Sequence, residues 1–314
     1  MKEIKHSTDF KITSLGVQKL YVYDIEVEHN HNFFANNILV HNSCYINIGK
    51  FLDNNNIRPE FDKLPLDIRT SYVDRISKII CKYINDKSYN VTQKIHYNSP
   101  VDDFKIIFEP EKIALTGLFT SKKRYATWTL LDDGKKKDAM SITGLEVIRS
   151  DSPEIVKPKI LNILEMILKK RSDDDLRNTI AEYTHELYSS NAEEIAENKG
   201  INKLSKYIYD DYKWKTRTPH QLKGVANYKF LLNKLKLTAK YEVPLEGVKA
   251  KIVYLMPNKF NKTSLSFYKW PSEFNKYGIK IDYKKMIDNN FTKKIKGLLI
   301  AINKIELLSP KSFF

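Results

Sequence analysis

Apolar and polar positions change rhythm several times along this chain, and each rhythm predicts a different element. From Leu20 to Glu28, Ile25 and Val27 alternate against Glu26 and Glu28, the period of a half-buried strand. Phe33-Phe34-Ala35 and Ile38-Leu39-Val40 are short apolar runs separated by Asn36-Asn37. Asparagine tolerates left-handed backbone angles, so this pair predicts a tight reversal. Ser43-Cys44-Tyr45-Ile46-Asn47-Ile48 also alternates and predicts a strand. From Leu66 to Ile84 the spacing lengthens, and Val73, Ile76, Ile80, Tyr83 and Ile84 mark an amphipathic helix packed on a sheet. Ser152 before Pro153 reads as the cap and first turn of a helix with Ile160, Ile163, Leu164 and Ile167 inward. Pro158 within it predicts a late start or a kink. Ser172 opens another helix, where Asp173-Asp174-Asp175 suit the positive end of the dipole and Leu176, Ile180, Tyr183 and Leu187 form the apolar side. Val248 to Met256 alternates as a strand, and Met286, Phe291, Ile295 and Leu298 line a last helix.

Composition adds a bound. A chain of 314 residues with 42% hydrophobic and 12% aromatic residues is long and apolar enough for two or three folded domains. No run of 18 apolar residues provides a membrane span, and Met1 to Phe10 lacks the apolar core of a signal peptide. Cys44 and Cys81 make neither a disulfide framework nor a zinc site, so both are expected to be ordinary thiols in a reducing, cytoplasmic setting. The net charge of +15 is unevenly distributed. Residues 1–42 hold four Lys against five Asp/Glu, whereas the remaining 272 hold 49 basic and 33 acidic residues. That excess attracts polyanions, nucleic acid above all.

Candidate chemistry clusters around residue 42. Val22-Tyr23-Asp24-Ile25-Glu26-Val27, then Asn30-His31-Asn32-Phe33-Phe34-Ala35-Asn36, then Ile38-Leu39-Val40-His41-Asn42 followed by Ser43, resembles the two C-terminal blocks of an intein. An isolated His-Asn pair is common; the whole set at this spacing is specific. The side-chain amide of Asn42 can attack its own backbone carbonyl, closing a succinimide and cutting the bond to Ser43. An amide nitrogen is a poor nucleophile, so acid–base help and a polarised carbonyl are needed, and His41 and His31 are the proton carriers at hand. Ser43 supplies a hydroxyl that can accept an upstream acyl group. The resemblance implies that Asp24 assists these acyl transfers. The N-terminal intein blocks are not found ahead of these motifs, so the expectation is splicing in trans with an N-terminal polymerase–intein half on another polypeptide.

From Ser43 onward the chain resembles, over most of its length, the C-terminal part of family B DNA polymerases, especially those of T-even-type bacteriophages. Ser43-x-Tyr45 matches the end of the family's Tyr-x-Asp-Thr-Asp-Ser motif. Lys122-Lys123-Arg124-Tyr125 matches its Lys-Lys-Arg-Tyr motif, and Gly144-Leu145-Glu146 with Arg149 its palm–thumb segment. The resemblance makes Lys122, Lys123, Arg124, Tyr125 and Arg149 DNA-binding residues. Phosphate contacts of this kind position a duplex without reading its sequence. His220 to Tyr228 and Lys269 to Ser272 are similar to thumb segments, with no chemistry read into either.

The implied fold class is α+β: a small all-β intein (Hint-type) fragment over 1–42, part of an α+β palm over 43–148, and a mainly helical thumb over 149–314. The implied activity is DNA-directed DNA polymerisation after splicing, on primer–template DNA and dNTP. The Mg2+ ligands are expected on the partner chain, so no metal ligand is assigned here. The tail Ser312-Phe313-Phe314 is similar to a sliding-clamp anchor, folding back onto the thumb being the other reading. A non-splicing DNA-binding palm/thumb subunit beside a separate catalytic chain is the alternative function, and an unrelated basic RNA-binding protein a third.

Overall fold

In the computed structural model, which describes residues 32–35, 38–41, 45–95, 108–121, 123–145, 151–209 and 212–309, the first element is a hairpin. Strand β1 (Asn32–Ala35) runs antiparallel to β2 (Ile38–His41), with Ala35 opposite Ile38 and Asn32 opposite His41. Two positions separate the strands, as the Asn36-Asn37 reversal predicts. The strand expected over Leu20 to Glu28 lies outside the described residues.

The chain divides into two compact units, Met1–Thr143 with Ala301–Asn303, and Gly144–Ile300 with Lys304–Phe314. In the first, the strand expected near Ser43 is replaced over its described part. Tyr45, Ile46 and Asn47 are irregular, and Ile48 opens helix α1 (Ile48–Asn54). The Asn47 side chain accepts from the Lys50 backbone N–H at 3.0 Å, satisfying an orphan donor of the first turn. A local cap thus wins over a two-residue alternation. After α2 (Arg58–Lys63), with a proline in its first turn, comes the long α3 (Leu66–Ile95). Val73, Ser77 and Cys81, four residues apart, are buried, and Ile76 and Ile80 pack beside them against Ile48, Leu52 and Ile113. Tyr83 departs from expectation at 63% exposed. It stands about 200° around the helix from Cys81, so it faces away from the core.

The sheet under α3 has three antiparallel strands in sequence order, β3 (Lys112–Ser121), β4 (Arg124–Asp132) and β5 (Lys135–Thr143). The chain before β3 is tied to α3 by a reciprocal pair: Asn85 Nδ2 donates to the Phe108 carbonyl at 3.0 Å, and the Phe108 N–H donates to Asn85 Oδ1 at 2.7 Å.

The second unit is mainly helical around another three-stranded antiparallel sheet. Helix α4 (Val156–Leu168) begins later than the Ser152-Pro153 pair predicts. Pro158 sits in its first turn, where a backbone N–H has no intrahelical acceptor, so the proline fits without a kink. Ser152 is buried and its hydroxyl accepts from Lys294. Ile160, Ile163 and Leu164 face inward as expected, joined by Val156 and Leu168, while Ile167 is half-buried. Ser172 caps α5 (Asp173–Tyr188) by accepting from the Asp175 N–H at 3.1 Å, and Leu176, Ile180 and Leu187 are buried. Tyr183 is half-buried, with Lys159 Nζ 4.3 Å from its ring centre.

A short α6 (Ala192–Ile195) leads to β6 (Glu197–Gly200), α7 (Leu204–Tyr207) and α8 (His220–Lys234). Strands β7 (Lys249–Tyr254) and β8 (Ser264–Phe267) complete the sheet in the order β6-β7-β8. Helix α8 lies on β8: Ser266 Oγ donates to the Gln221 carbonyl at 2.7 Å, and Asn227 Nδ2 to the Ser264 carbonyl at 3.0 Å. Tyr228, Phe267 and Phe274 are fully buried beside Trp270, with neighbouring ring centres 5.3–6.3 Å apart. The last helix is composite: α9 (Tyr283–Ile287), a π segment (Asp288–Thr292) and α10 (Lys293–Ala301). Met286, Phe291, Ile295 and Leu298 are all buried. The step of five from Met286 to Phe291 overshoots an α-helical turn, and the π segment absorbs the extra residue.

Candidate nucleic-acid interface

The β3–β4 hairpin closes through a two-residue connection, since Ser121 pairs with Arg124. Lys123 occupies it with φ 61°, a left-handed conformation that tight hairpin turns demand. The Thr120 hydroxyl donates to the Arg124 carbonyl at 3.0 Å and helps hold the turn. Lys123 and Arg124 are exposed at this end of the sheet, whereas Tyr125 is half-buried one position inward.

Tyr125 lies directly opposite Phe119, so both rings occupy one face. They stack at 5.5 Å and 28°, and Tyr45 meets both edge-on, at 5.0 Å to Phe119 and 5.1 Å to Tyr125. Such T-shaped and offset pairs contribute about 0.5–1.5 kcal/mol each beyond the area they bury. Ile46 then packs into the cluster formed by Ile48, Leu52, Val73 and Ile113. Two sequence motifs 80 positions apart, the Tyr45 segment and the basic turn, are therefore one structural feature. A pair of exposed cations is presented at the hairpin end, backed by an aromatic cluster.

Of the other candidate residues, His41 ends β2 opposite Asn32. Asp24, His31, Asn42, Ser43, Lys122, Arg149, Ser312, Phe313 and Phe314 lie outside the described residues. Cys81 is a buried free thiol, and burial pushes its pKa up. Among the described residues no three His, Cys, Asp or Glu side chains converge as a metal site, and no helix is long and apolar enough to cross a membrane.

A second basic feature, in the Gly144–Ile300 unit, carried no chemistry in the sequence. His220, the first residue of α8, stacks on Tyr254 of β7 at 5.5 Å and 26°, and Lys285 Nζ sits 4.2 Å from the Tyr254 ring centre. His220 Nε2 is buried and finds no hydrogen-bond partner among the described residues. Burial foremost, then Lys199, Lys285 and Lys223, hold its pKa below the usual histidine value, against the pull of Glu197. Three lysines thus act on this imidazole against its protonation. The residues come from β6, α8, β7 and α9, so no short window of sequence contains them.

A model of DNA polymerase family B matches residues 62–302. A DNA polymerase of Thermococcus litoralis is 33% identical over 175 residues, which is 54% of this chain and 8% of that protein. One from Thermococcus aggregans is 33% identical over 190 residues, covering 60% of this chain and 8% of its own length. A DNA polymerase of Methanocaldococcus jannaschii is 27% identical over 228 residues, covering 64% of this chain and 13% of its own length. The matched part of the chain thus spans only about a tenth of the length of these relatives.

Proposed function

The chain belongs to DNA polymerase family B, and from that premise we propose that it is the C-terminal part of a DNA-directed DNA polymerase, joined to the upstream part by protein splicing at Asn42–Ser43. The joining is in trans, and the family type is that of T-even phages; the motif series from Ser43 to Arg149 supports the latter. The observation that carries the reading is the contact of Tyr45 with Tyr125. The third residue past the proposed junction packs on the sheet that the family match covers, while the His31–Asn42 set lies ahead of it.

In the proposed chemistry the upstream acyl group is first carried as an ester on Ser43 Oγ. The Asn42 amide nitrogen then attacks the Asn42 carbonyl carbon. The succinimide C–N bond forms, the peptide bond to Ser43 breaks, and the leaving amine takes a proton, with His41 and His31 as carriers and Asp24 assisting the preceding transfers. The freed Ser43 amine displaces its own hydroxyl from the ester, leaving an ordinary peptide bond.

In the joined enzyme, Lys122, Lys123, Arg124, Tyr125 and Arg149 grip primer–template phosphates while dNTP is added. Divalent ions supply the clamp on attacking and leaving oxygens in nucleotidyl transfer. Their carboxylates belong to the upstream part, and no step is assigned to a metal on this chain. Ser312-Phe313-Phe314 is proposed as a sliding-clamp anchor.

The test is co-expression with the upstream half from the same source, followed by mass spectrometry. A ligated polymerase and a freed fragment of residues 1–42 are expected, and Asn42→Ala abolishes release of the fragment. Association with both masses unaltered would instead establish the non-splicing subunit and overturn splicing.

A further inference from the structure

Tyr45 to Ile48, four consecutive residues just past the proposed junction, are each tied into the first unit. Tyr45 is half-buried, with its ring centre 5.0 Å from that of Phe119 and 5.1 Å from that of Tyr125. Ile46 packs against Ile48, Leu52, Val73 and Ile113, Asn47 caps α1 through the Lys50 N–H, and Ile48 is buried. The receiving rings are themselves held by the sheet: Phe119 of β3 pairs with Tyr125 of β4, which pairs with Thr143 of β5. An anchor therefore stands two residues from Ser43. A chain spans at most about 3.6 Å per residue, which keeps the Ser43 Cα within about 7 Å of that of Tyr45. His41, the last residue of β2, stands two residues away on the other side.

We propose that Tyr45, Phe119 and Tyr125 are positioning residues for splicing: their ring cluster holds Ser43 for the acyl transfer, so ligation depends on the folded β3–β4 hairpin. The inference rests on the reading that Asn42–Ser43 is a splice junction. In the transfer, Ser43 Oγ attacks the acyl carbon that the upstream half carries as an ester or thioester. A C–O bond forms to Ser43, the bond to the upstream oxygen or sulfur breaks, and the Ser43 hydroxyl proton passes to that leaving group. Cyclisation of Asn42 competes with this step, because it cuts the junction whether or not the acyl group has arrived. A displacement of about 1 Å costs a positioned reaction up to roughly 10²-fold. With Ser43 held from both sides, the ester forms first. Held through β2 alone, Ser43 loses the race, and residues 43–314 are released unjoined. The hairpin that supplies the anchor also carries the exposed Lys123 and Arg124, so a chain that has not built this basic end is not ligated efficiently. Phe119 lies 76 positions beyond Ser43, far outside the splicing motifs.

The test follows the full chain mixed with the upstream half from the same source, using mass spectrometry to time ligated product and unjoined 43–314. Tyr45→Ala and Phe119→Ala are each expected to slow ligation about tenfold and to raise the unjoined share, while Tyr45→Phe restores both to the parent's level. The double variant is no slower than the slower single one, since both remove the same contact. Trp128→Ala weakens the same sheet from the opposite face of β4 and is expected to leave the ratio of ligated to unjoined product unchanged. Parental rates and ratios in Phe119→Ala, additive effects in the double variant, or an equal effect of Trp128→Ala overturn the positioning role and leave splicing standing. If the unmutated halves give neither ligated product nor free 1–42, the splice junction itself is refuted.

Discussion

Gly224 in the interior of α8 offers a perturbation on which local propensity and tertiary packing give opposite signs. Alanine is favoured over glycine inside a helix by about 1 kcal/mol, so propensity alone makes Gly224→Ala stabilising. The structure reverses the sign. A Cβ at 224 would lie 2.4 Å from Ser266 Oγ, 2.8 Å from the Ser266 backbone nitrogen and 3.0 Å from the Leu265 carbonyl carbon. Two of these atoms belong to β8 backbone and cannot rotate away. Relief requires α8 to move off the sheet, and overpacking of this kind costs about 1–3 kcal/mol. The Ser266 hydroxyl, which donates to Gln221, is displaced as well, a loss of about 1 kcal/mol. Set against the propensity gain, the net is about 1–3 kcal/mol of destabilisation, or roughly 2–12 °C in melting temperature for a unit of this size. Urea unfolding followed by circular dichroism reads the difference. Adding Ser266→Ala removes the shortest clash but leaves the backbone one, so only partial recovery is expected. A Gly224→Ala protein as stable as its parent would refute the close approach of α8 to β8, and with it the seating of His220 over Tyr254.

Other outcomes follow from the two basic features. Lys123→Ala and Arg124→Ala in the joined polymerase lower duplex affinity equally for unrelated sequences, and each reduces the salt slope by about 0.9 if it removes one phosphate contact; a sequence-dependent loss counts against backbone gripping. A double-mutant cycle of Tyr45→Ala and Tyr125→Ala is expected to give a coupling of about 0.5–1.5 kcal/mol in unfolding experiments, and additivity would remove the aromatic anchor. His220 has a folded pKa below its unfolded value of about 6.5, so the folded state binds fewer protons. Its contribution is fully present above that pH and is lost as pH falls through it. Lys199 of β6 and Lys285 of α9, with Lys223 on its own helix, all oppose protonation, and Glu197 favours it. Melting temperatures of wild type and His220→Gln should therefore converge or cross as pH drops from 7 to 5; parallel curves would show that the imidazole titrates normally.

What was legible in the sequence is what a few neighbouring residues decide. Ser172 ahead of three aspartates starts α5 because its hydroxyl meets an N–H three residues on. The Asn36-Asn37 reversal and its flanking apolar runs define β1 and β2, and the spacing at Val73, Ile76 and Ile80 marks the core side of α3. The family itself was readable from ordered motifs. Local signals also competed, and the sequence could not rank them: the alternation at Tyr45 to Ile48 lost to the Asn47 cap, and Pro158 proved harmless once the helix start moved to Val156. A step of five between Met286 and Phe291 becomes consistent with burial only through a π segment, which packing selects. The tertiary structure alone decided the rest. Tyr45 and Tyr125 meet across 80 residues, four elements surround His220, and β8 leaves no room for a side chain at Gly224. Periodicity encodes which side of an element is apolar, but contact energies between distant residues act only after the chain has folded, so the partner of each apolar side could not be read beforehand.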